Sequence, residues 1–329
     1  MEEAKNFLES DLKKLFTDGE ITASRYSQSI KFEDPITRYN DLAGYQMNIR
    51  LLHTLFQIDF ELHTIAVTGH DEVTARWTMK MDFWPLPWKP ELTVTGRTVY
   101  QVDPTNGFIL RHTDLWDALQ RNSFLSLEGL TFVLKQFLSL QLTPALATPE
   151  YKVLKKLKEY EIRRYQPYIV AETPMAPGSG PASGAGFTDL AGYIFGGNQG
   201  AVAMDMTTPV FTAVAPGGSH STAMQFVMDA SYQDVSSLPA PKDSKIGVKQ
   251  EQGRLIAAVK FSGWPLDFEV VQAESELRDA LLRDQLAPLA GYKVARYNEP
   301  FVPPQFRRNE ILIPVTAFAW PPAGEEGKH

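Results

Sequence analysis

Cysteine is absent from this chain of 329 residues, which excludes disulfides, thiol catalysis and any thiolate ligand to a metal or cluster. Histidine is scarce, with six in all, and between residue 150 and the terminal His329 only His220 is found. Lysine and arginine are missing altogether from residues 165–241. The net charge of -7 is spread over both halves, so neither half carries the basic field that nucleic acid or an anionic membrane needs. Long apolar runs are lacking too: the most apolar window, residues 124–142, holds Glu128 and Lys135, so no transmembrane span is expected. The opening residues show neither the basic and apolar regions of a signal peptide nor the Arg- and Ser-rich character of a transit peptide. That leaves a cytosolic protein or a mature form. No Gly-x-Ser-x-Gly, Walker loop, HExxH or dinucleotide fingerprint occurs.

What is present is 43% hydrophobic residues, enough for a full core, over a length that favours two domains. Ala4, Phe7, Leu8, Leu12, Leu15 and Phe16 share one helical face, with Gly19 as the stop. Tyr45, Ile49, Leu52, Leu55 and Phe56 predict a second helix over residues 44–62. Val73, Ala75, Trp77, Met79 and Met81 then alternate with polar residues, as in a strand with one buried face. The proline-rich run 84–90 reads as a loop, and residues 92–102 and 108–113 as a hairpin turning at Asn106-Gly107. A helix is expected near 127–138.

Pro144 and Pro149 mark a linker. Beyond it, residues 160–165 and 168–173 read as strands, and the Gly-, Pro-, Ala- and Ser-rich run 174–186 as a mobile surface loop fit to act as a lid. Phe187, Leu190, Ala191 and Ile194 fall on one helical face that stops at Gly196-Gly197. A strand-like run through Met204 and Met206 to Val210 follows. The plan then repeats at longer pitch: a strand at 254–261, a helix at 268–285 burying Val270, Ala273, Leu277, Ala280 and Leu281, and strands at 292–297 and 310–315.

The blocks YIFGGN, MTTPV, GRLIAAVKFSG and RRNEILIPV, in this order and spacing, resemble the SOUL haem-binding protein family over residues 151–316. The resemblance implies an α+β fold: a distorted β-barrel of two pseudo-repeated units flanked by two helices. It also implies a non-covalently bound haem or other tetrapyrrole, held by a non-enzymatic carrier or buffer. The first half resembles a nuclear-transport-factor-2-like α+β cone. Coupled to a SOUL domain through FEDPITRYNDLAGYQMNIRLL and WPLPWKP, it looks like proteins of plants and green algae, which implies a chloroplast location with the transit peptide removed; the alternative is cytoplasmic. Expected boundaries are 1–143 for the first domain, 144–150 for the linker and 151–329 for the second.

For the tetrapyrrole, the candidate wall is the helix with the run after it: Phe187, Leu190, Ala191, Tyr193, Ile194, Met204 and Met206, because a porphyrin face needs flat apolar contact. The same residues also suit simple barrel packing. Any cation for a propionate has to come from Lys245, Lys249, Arg254, Lys293, Arg307 or Arg308. The iron ligand is left open among His220, Tyr193 and Met204. Arg307-Arg308-Asn309-Glu310 reads as a structural corner. Two other readings stay on the table: a protein-interaction scaffold that has lost tetrapyrrole binding, and an isomerase-like enzyme in the cone using Asp59, His63, His112 and Asp114, the last two sharing a strand face. The first domain is expected to dock a protein partner or a lipid-like ligand.

Overall fold

The computed structural model describes residues 1–216 and 221–320 and is mixed α+β in both of its compact units. One unit is made by Met1–Ser139 with Leu154–Lys158, the other by Leu140–Val153 with Glu159–Phe318.

In the first unit, α1 (Glu2–Asp18) buries Ala4, Leu8, Leu12 and Leu15 and ends where Gly19 takes φ 71°, a left-handed turn that glycine adopts without strain. Strands β1 (Tyr26–Glu33) and β2 (Arg38–Tyr39) precede α2 (Leu42–Leu55), whose N-terminus is capped by the Asp41 carboxylate accepting from Gly44 N. The helix expected to reach residue 62 stops at Leu55, and β3 (Phe56–Val67) takes over. Phe56, Ile58, Phe60 and Leu62 also alternate, and pairing along the whole of β4 (Glu72–Phe83) stabilises that period over the helical one. Then come β5 (Glu91–Val102), β6 (Ile109–Trp116) and α3 (Leu127–Phe137). The strands form a six-stranded sheet ordered β2-β1-β6-β5-β4-β3. Its core gathers Leu8, Ile30, Tyr45, Val73, Tyr100 and Ile109.

The second unit is built on the start of β7 (Tyr151–Lys156), through Val153, with β8 (Glu161–Tyr165), β9 (Tyr168–Pro174), α4 (Phe187–Ile194), β10 (Val210–Val214), β11 (Ser221–Val227), β12 (Gly247–Glu251), β13 (Leu255–Phe261), α5 (Asp267–Arg283), β14 (Tyr292–Arg296) and β15 (Asn309–Pro314). The nine-stranded sheet runs β12-β9-β11-β10-β14-β15-β13-β8-β7. Its centre is palindromic. Each half contributes a strand, a helix and two more strands (β9, α4, β10, β11; then β13, α5, β14, β15), and the halves meet at the β10–β14 pair. This is the duplication expected, with two helices, though the end strands β12 and β7 do not pair with each other and the sheet is curled rather than closed. Two details differ from the sequence reading. β7, β11 and β12 were not anticipated, and residues 201–209 are irregular apart from a bridge at Ala203, so Met204 and Met206 lie outside any strand.

The expected linker is tied to this unit. Leu142 N donates to the Phe306 carbonyl at 2.8 Å and Thr208 N to the Ala147 carbonyl at 2.9 Å, while Asn298 Nδ2 donates to the Leu142 carbonyl at 2.6 Å. The RRNE block forms the anticipated corner. Arg307 donates to the Val302 and Pro300 carbonyls and lies over the Trp264 ring. Arg308 and Arg163 both grip the fully buried Glu310.

Candidate functional site

The helix expected to line a ligand is placed with its apolar face inward. Leu190, Tyr193, Ile194 and Met204 are buried, with Ala191 and Met206 packed behind them, against Met224 and Phe226 of the sheet and Met228, Leu238 and Ile246 beyond it. Burying side chains of this size contributes roughly 1.5–3 kcal/mol each, so this face already holds the unit together. Tyr193 donates its hydroxyl to the Pro239 carbonyl at 2.7 Å, and burial raises its pKa. Phe187, at the start of the helix, is the exception: it is 42% exposed and meets Phe226 edge-on at 5.2 Å. The GGN turn is held by Asn198, wholly buried, which donates to the Tyr193 and Val202 carbonyls and accepts from Val202 N. His220 lies outside the described residues.

Residues 174–186, expected to be mobile, are anchored at several points. Ala182 N donates to the Asp267 carboxylate at 2.6 Å, Arg296 donates to the Pro181 carbonyl and to Thr212 Oγ1, and Met175 is buried. The sequence could not show this, because the two anchors are 85 and 115 residues downstream of their partners.

An open cavity of about 340 Å³ lies elsewhere, in the hollow of the curled sheet. Tyr165, Tyr168, Ala213, Ile256, Leu312 and Pro314 give it an apolar and aromatic lining. Its polar end is formed by Lys293, Glu251 and Arg254. The Lys293 ammonium stands 5.2 Å from the centre of the Phe211 ring and 5.7 Å from that of Tyr168, a cation-on-aromatic placement. Its polar contacts are long: 3.4 Å to the Tyr168 hydroxyl and 3.4 Å to Glu251. Burial lowers the Lys293 pKa, with the pull of Glu251 acting the other way. For Glu251 burial acts upward, but the attraction of Lys293, Lys249 and Arg254 wins and lowers its pKa. Burial raises Tyr168, and the charge of Glu251 adds to it. Two of the cations singled out in the sequence, Lys293 and Arg254, are thus brought to one apolar hollow, with Lys249 bound to Glu251 beside it at 3.4 Å.

In the first unit, His112 and Asp114 do meet, Nε2 to Oδ1 at 2.8 Å. Tyr45, which the sequence reading did not single out, completes the chain with its hydroxyl 2.9 Å from His112 Nδ1. Asp114 also accepts from Thr98, and Thr98 Oγ1 accepts from Trp77 Nε1 at 2.9 Å. This is a satisfied polar network inside a core, with Tyr45 and His112 buried. Asp59 and His63 stand on β3 instead, Asp59 exposed and His63 bonded to Thr78 Oγ1 at 2.8 Å. Nearby Asp34 is pushed up to about 6 by burial, with Asp114 adding to the shift and the Thr37 hydrogen bonds opposing it. Among the described residues no cluster of three or more His, Asp or Glu is placed to hold a metal ion, and no helix is long and apolar enough to cross a membrane.

Comparison with known families gives two matches: the SOUL heme-binding protein family over residues 146–314, and an uncharacterised conserved family, DUF2358, over residues 2–112. Heme-binding protein 1 of Mus musculus is 30% identical over 125 residues, 37% of this chain and 65% of that protein. Heme-binding protein 1 of Sus scrofa is 27% identical over 123 residues, 37% of this chain and 65% of that protein. The chain therefore spans just under two thirds of these relatives. Among solved structures, an NTF2-like protein from Exiguobacterium sp. 255-15 aligns with a TM-score of 0.30 at 13% identity, over 34% of this chain and 99% of that one. The epoxide hydrolase/cyclase-like enzyme SalBIII aligns with a TM-score of 0.32 at 13% identity, over 35% of this chain and 91% of that one.

Proposed function

Because the chain belongs to the SOUL heme-binding protein family, we propose that it binds haem or a related tetrapyrrole in its second unit and serves as a non-enzymatic carrier or buffer. The observation that supports this reading is the cavity of about 340 Å³ in the curled sheet, apolar along its walls and cationic at one end. That volume is at the low end of the roughly 300–1,000 Å³ usual for small-molecule sites, so it takes one edge of a macrocycle and leaves the rest at the mouth. Tyr165, Tyr168, Ile256 and Leu312 supply flat apolar contact, and Lys293 and Arg254 face the acidic groups. Haem bound there would supply redox and ligand-exchange chemistry at its iron. The residues of this chain bind and orient it, and the only described oxygen ligands of the right kind in the lining are tyrosine hydroxyls.

The α4 residues expected at the ligand support the site from behind, as core, on this reading. A plastid setting is our proposal from the pairing of the two halves alone.

The test is a haemin titration followed at the Soret band, on the intact chain and on Ala213→Trp, whose added ring projects into the cavity from β10. Saturable one-to-one binding, weakened at least about tenfold in the variant, is expected. Unchanged binding in a folded Ala213→Trp moves the site elsewhere. No saturable binding in the intact chain favours the scaffold reading.

A further inference from the structure

The cavity carries more cation than its own carboxylates answer. Lys249 has a short partner, Glu172 at 2.7 Å. Glu251 is shared among Lys249 at 3.4 Å, Lys293 at 3.4 Å and Arg254 at 3.9 Å, and it also accepts from Gln225 Nε2 at 3.3 Å. Three cations thus face two carboxylates; Lys249 and Arg254 are about half exposed to water, whereas Lys293 is the deepest of the three. Lys293 has only 22% of its side chain exposed, yet both its polar contacts, to Tyr168 and Glu251, are 3.4 Å long. Charge-assisted hydrogen bonds normally close to about 2.7–2.9 Å. An ammonium with three donors, held among the Tyr168 and Phe211 rings and lacking a short bond, is poised for an additional anionic acceptor.

We propose that Lys293 anchors a ligand carboxylate inside the cavity, so that the ligand enters acid-first with its apolar body toward the mouth, and that Glu251 is the internal competitor which that carboxylate displaces. This rests on reading the cavity as the tetrapyrrole site. The chemistry it selects is a carboxylate on a flat or extended apolar body, which a porphyrin propionate edge and a fatty acid both offer. The anchoring works through charge exchange: Glu251 keeps Lys249 and Arg254 as partners when Lys293 turns to the ligand, so no carboxylate is left unpaired in the apolar hollow.

The two residues therefore act with opposite sign, which packing alone does not produce. The experiment measures dissociation constants of metal-free protoporphyrin IX, its dimethyl ester and oleate for the intact chain, Lys293→Met, Lys293→Arg and Glu251→Gln, with folding checked by circular dichroism. Methionine keeps a flexible stem against the two rings. The expected result is that Lys293→Met weakens the porphyrin free acid about tenfold or more, Lys293→Arg retains most of the affinity, and Glu251→Gln strengthens it severalfold. The ester responds to none of the three. If acid and ester bind alike and Lys293→Met changes neither, the anchor is overturned while tetrapyrrole binding stands. If oleate binds with the Lys293 and Glu251 dependence but no porphyrin binds, the anchor stands and the tetrapyrrole reading falls. If Glu251→Gln weakens the acid as much as Lys293→Met does, Glu251 is a partner of the ligand and the competitor role is wrong.

Discussion

Replacing Glu310 with glutamine tests what the RRNE corner contributes. The Glu310 carboxylate, 0% exposed, accepts from Arg163 at 2.7 and 3.0 Å, from Arg308 at 3.0 and 2.7 Å and from Tyr297 at 3.1 Å. Burial acts to raise its pKa, but the Arg163 and Arg308 guanidiniums hold it far below the usual carboxylate range. Glu310→Gln keeps the shape and removes the charge, leaving Arg163, itself 0% exposed, with Glu161 as its remaining carboxylate. Breaking a buried pair by removing one charge costs about 3–5 kcal/mol. At ~1.4 kcal/mol per factor of ten, amide protection in β13 and β15 of the intact chain falls by about two to three and a half orders of magnitude, read by hydrogen exchange under conditions where closing outruns exchange. Arg163→Met alone is costly for the same reason, and the double variant costs less than the sum by about 1 kcal/mol or more, because it no longer leaves Arg163 uncompensated. A loss under about 1 kcal/mol in Glu310→Gln, or strict additivity in the double variant, refutes this account of the corner. The pH dependence has a definite sign. A depressed carboxylate stabilises the fold fully above its unfolded pKa, and that contribution is lost as pH falls toward the folded value.

The strap over residues 142–147 predicts that a fragment beginning at Leu140 is soluble and melts cooperatively, while one beginning at Tyr151 is less stable by about 2–3 kcal/mol. It loses the bonds to Phe306, Asn298 and Thr208 and the Thr143–Arg308 contact; equal melting of the two contradicts this. Residues 174–186 should resist limited proteolysis until Asp267→Ala removes the acceptor for Ala182 N; early nicking of the unmutated chain would show the anchors to be ineffective. Asp34, pushed up to about 6 by burial, contributes stability that is full below the ordinary carboxylate pKa and is lost as pH rises through about 6. Urea unfolding of the first unit should therefore show a decline over that window which Asp34→Asn lacks, and parallel pH profiles for the two proteins would contradict it.

Local pattern was enough for much of this fold. The α1 and α5 faces, the alternation of β4 and the glycine stops at Gly19 and Gly196 are set by periods of two or 3.6 and by turn chemistry within a few residues, while the duplicated second half was expected from the family resemblance. Those signals failed where two periods coincided, as at Phe56 to Leu62, and where polar partners lay far apart in the chain. Glycine and proline made residues 174–186 look free, but Asp267 and Arg296 decide their order. His112 and Asp114 were visible as neighbours on a strand, whereas Tyr45 reaches them only because α2 packs over the sheet. The candidate site followed the same rule. The apolar face of α4 was legible, but whether it met a ligand or the sheet was not, since hydrophobic periodicity records burial without naming what does the burying. Lys293 and Arg254 were two of six candidate cations in the sequence, and Glu251 read as an ordinary charge. Only the curling of β9 to β15 gathers them around one apolar hollow, where low polarity makes the balance of their charges matter.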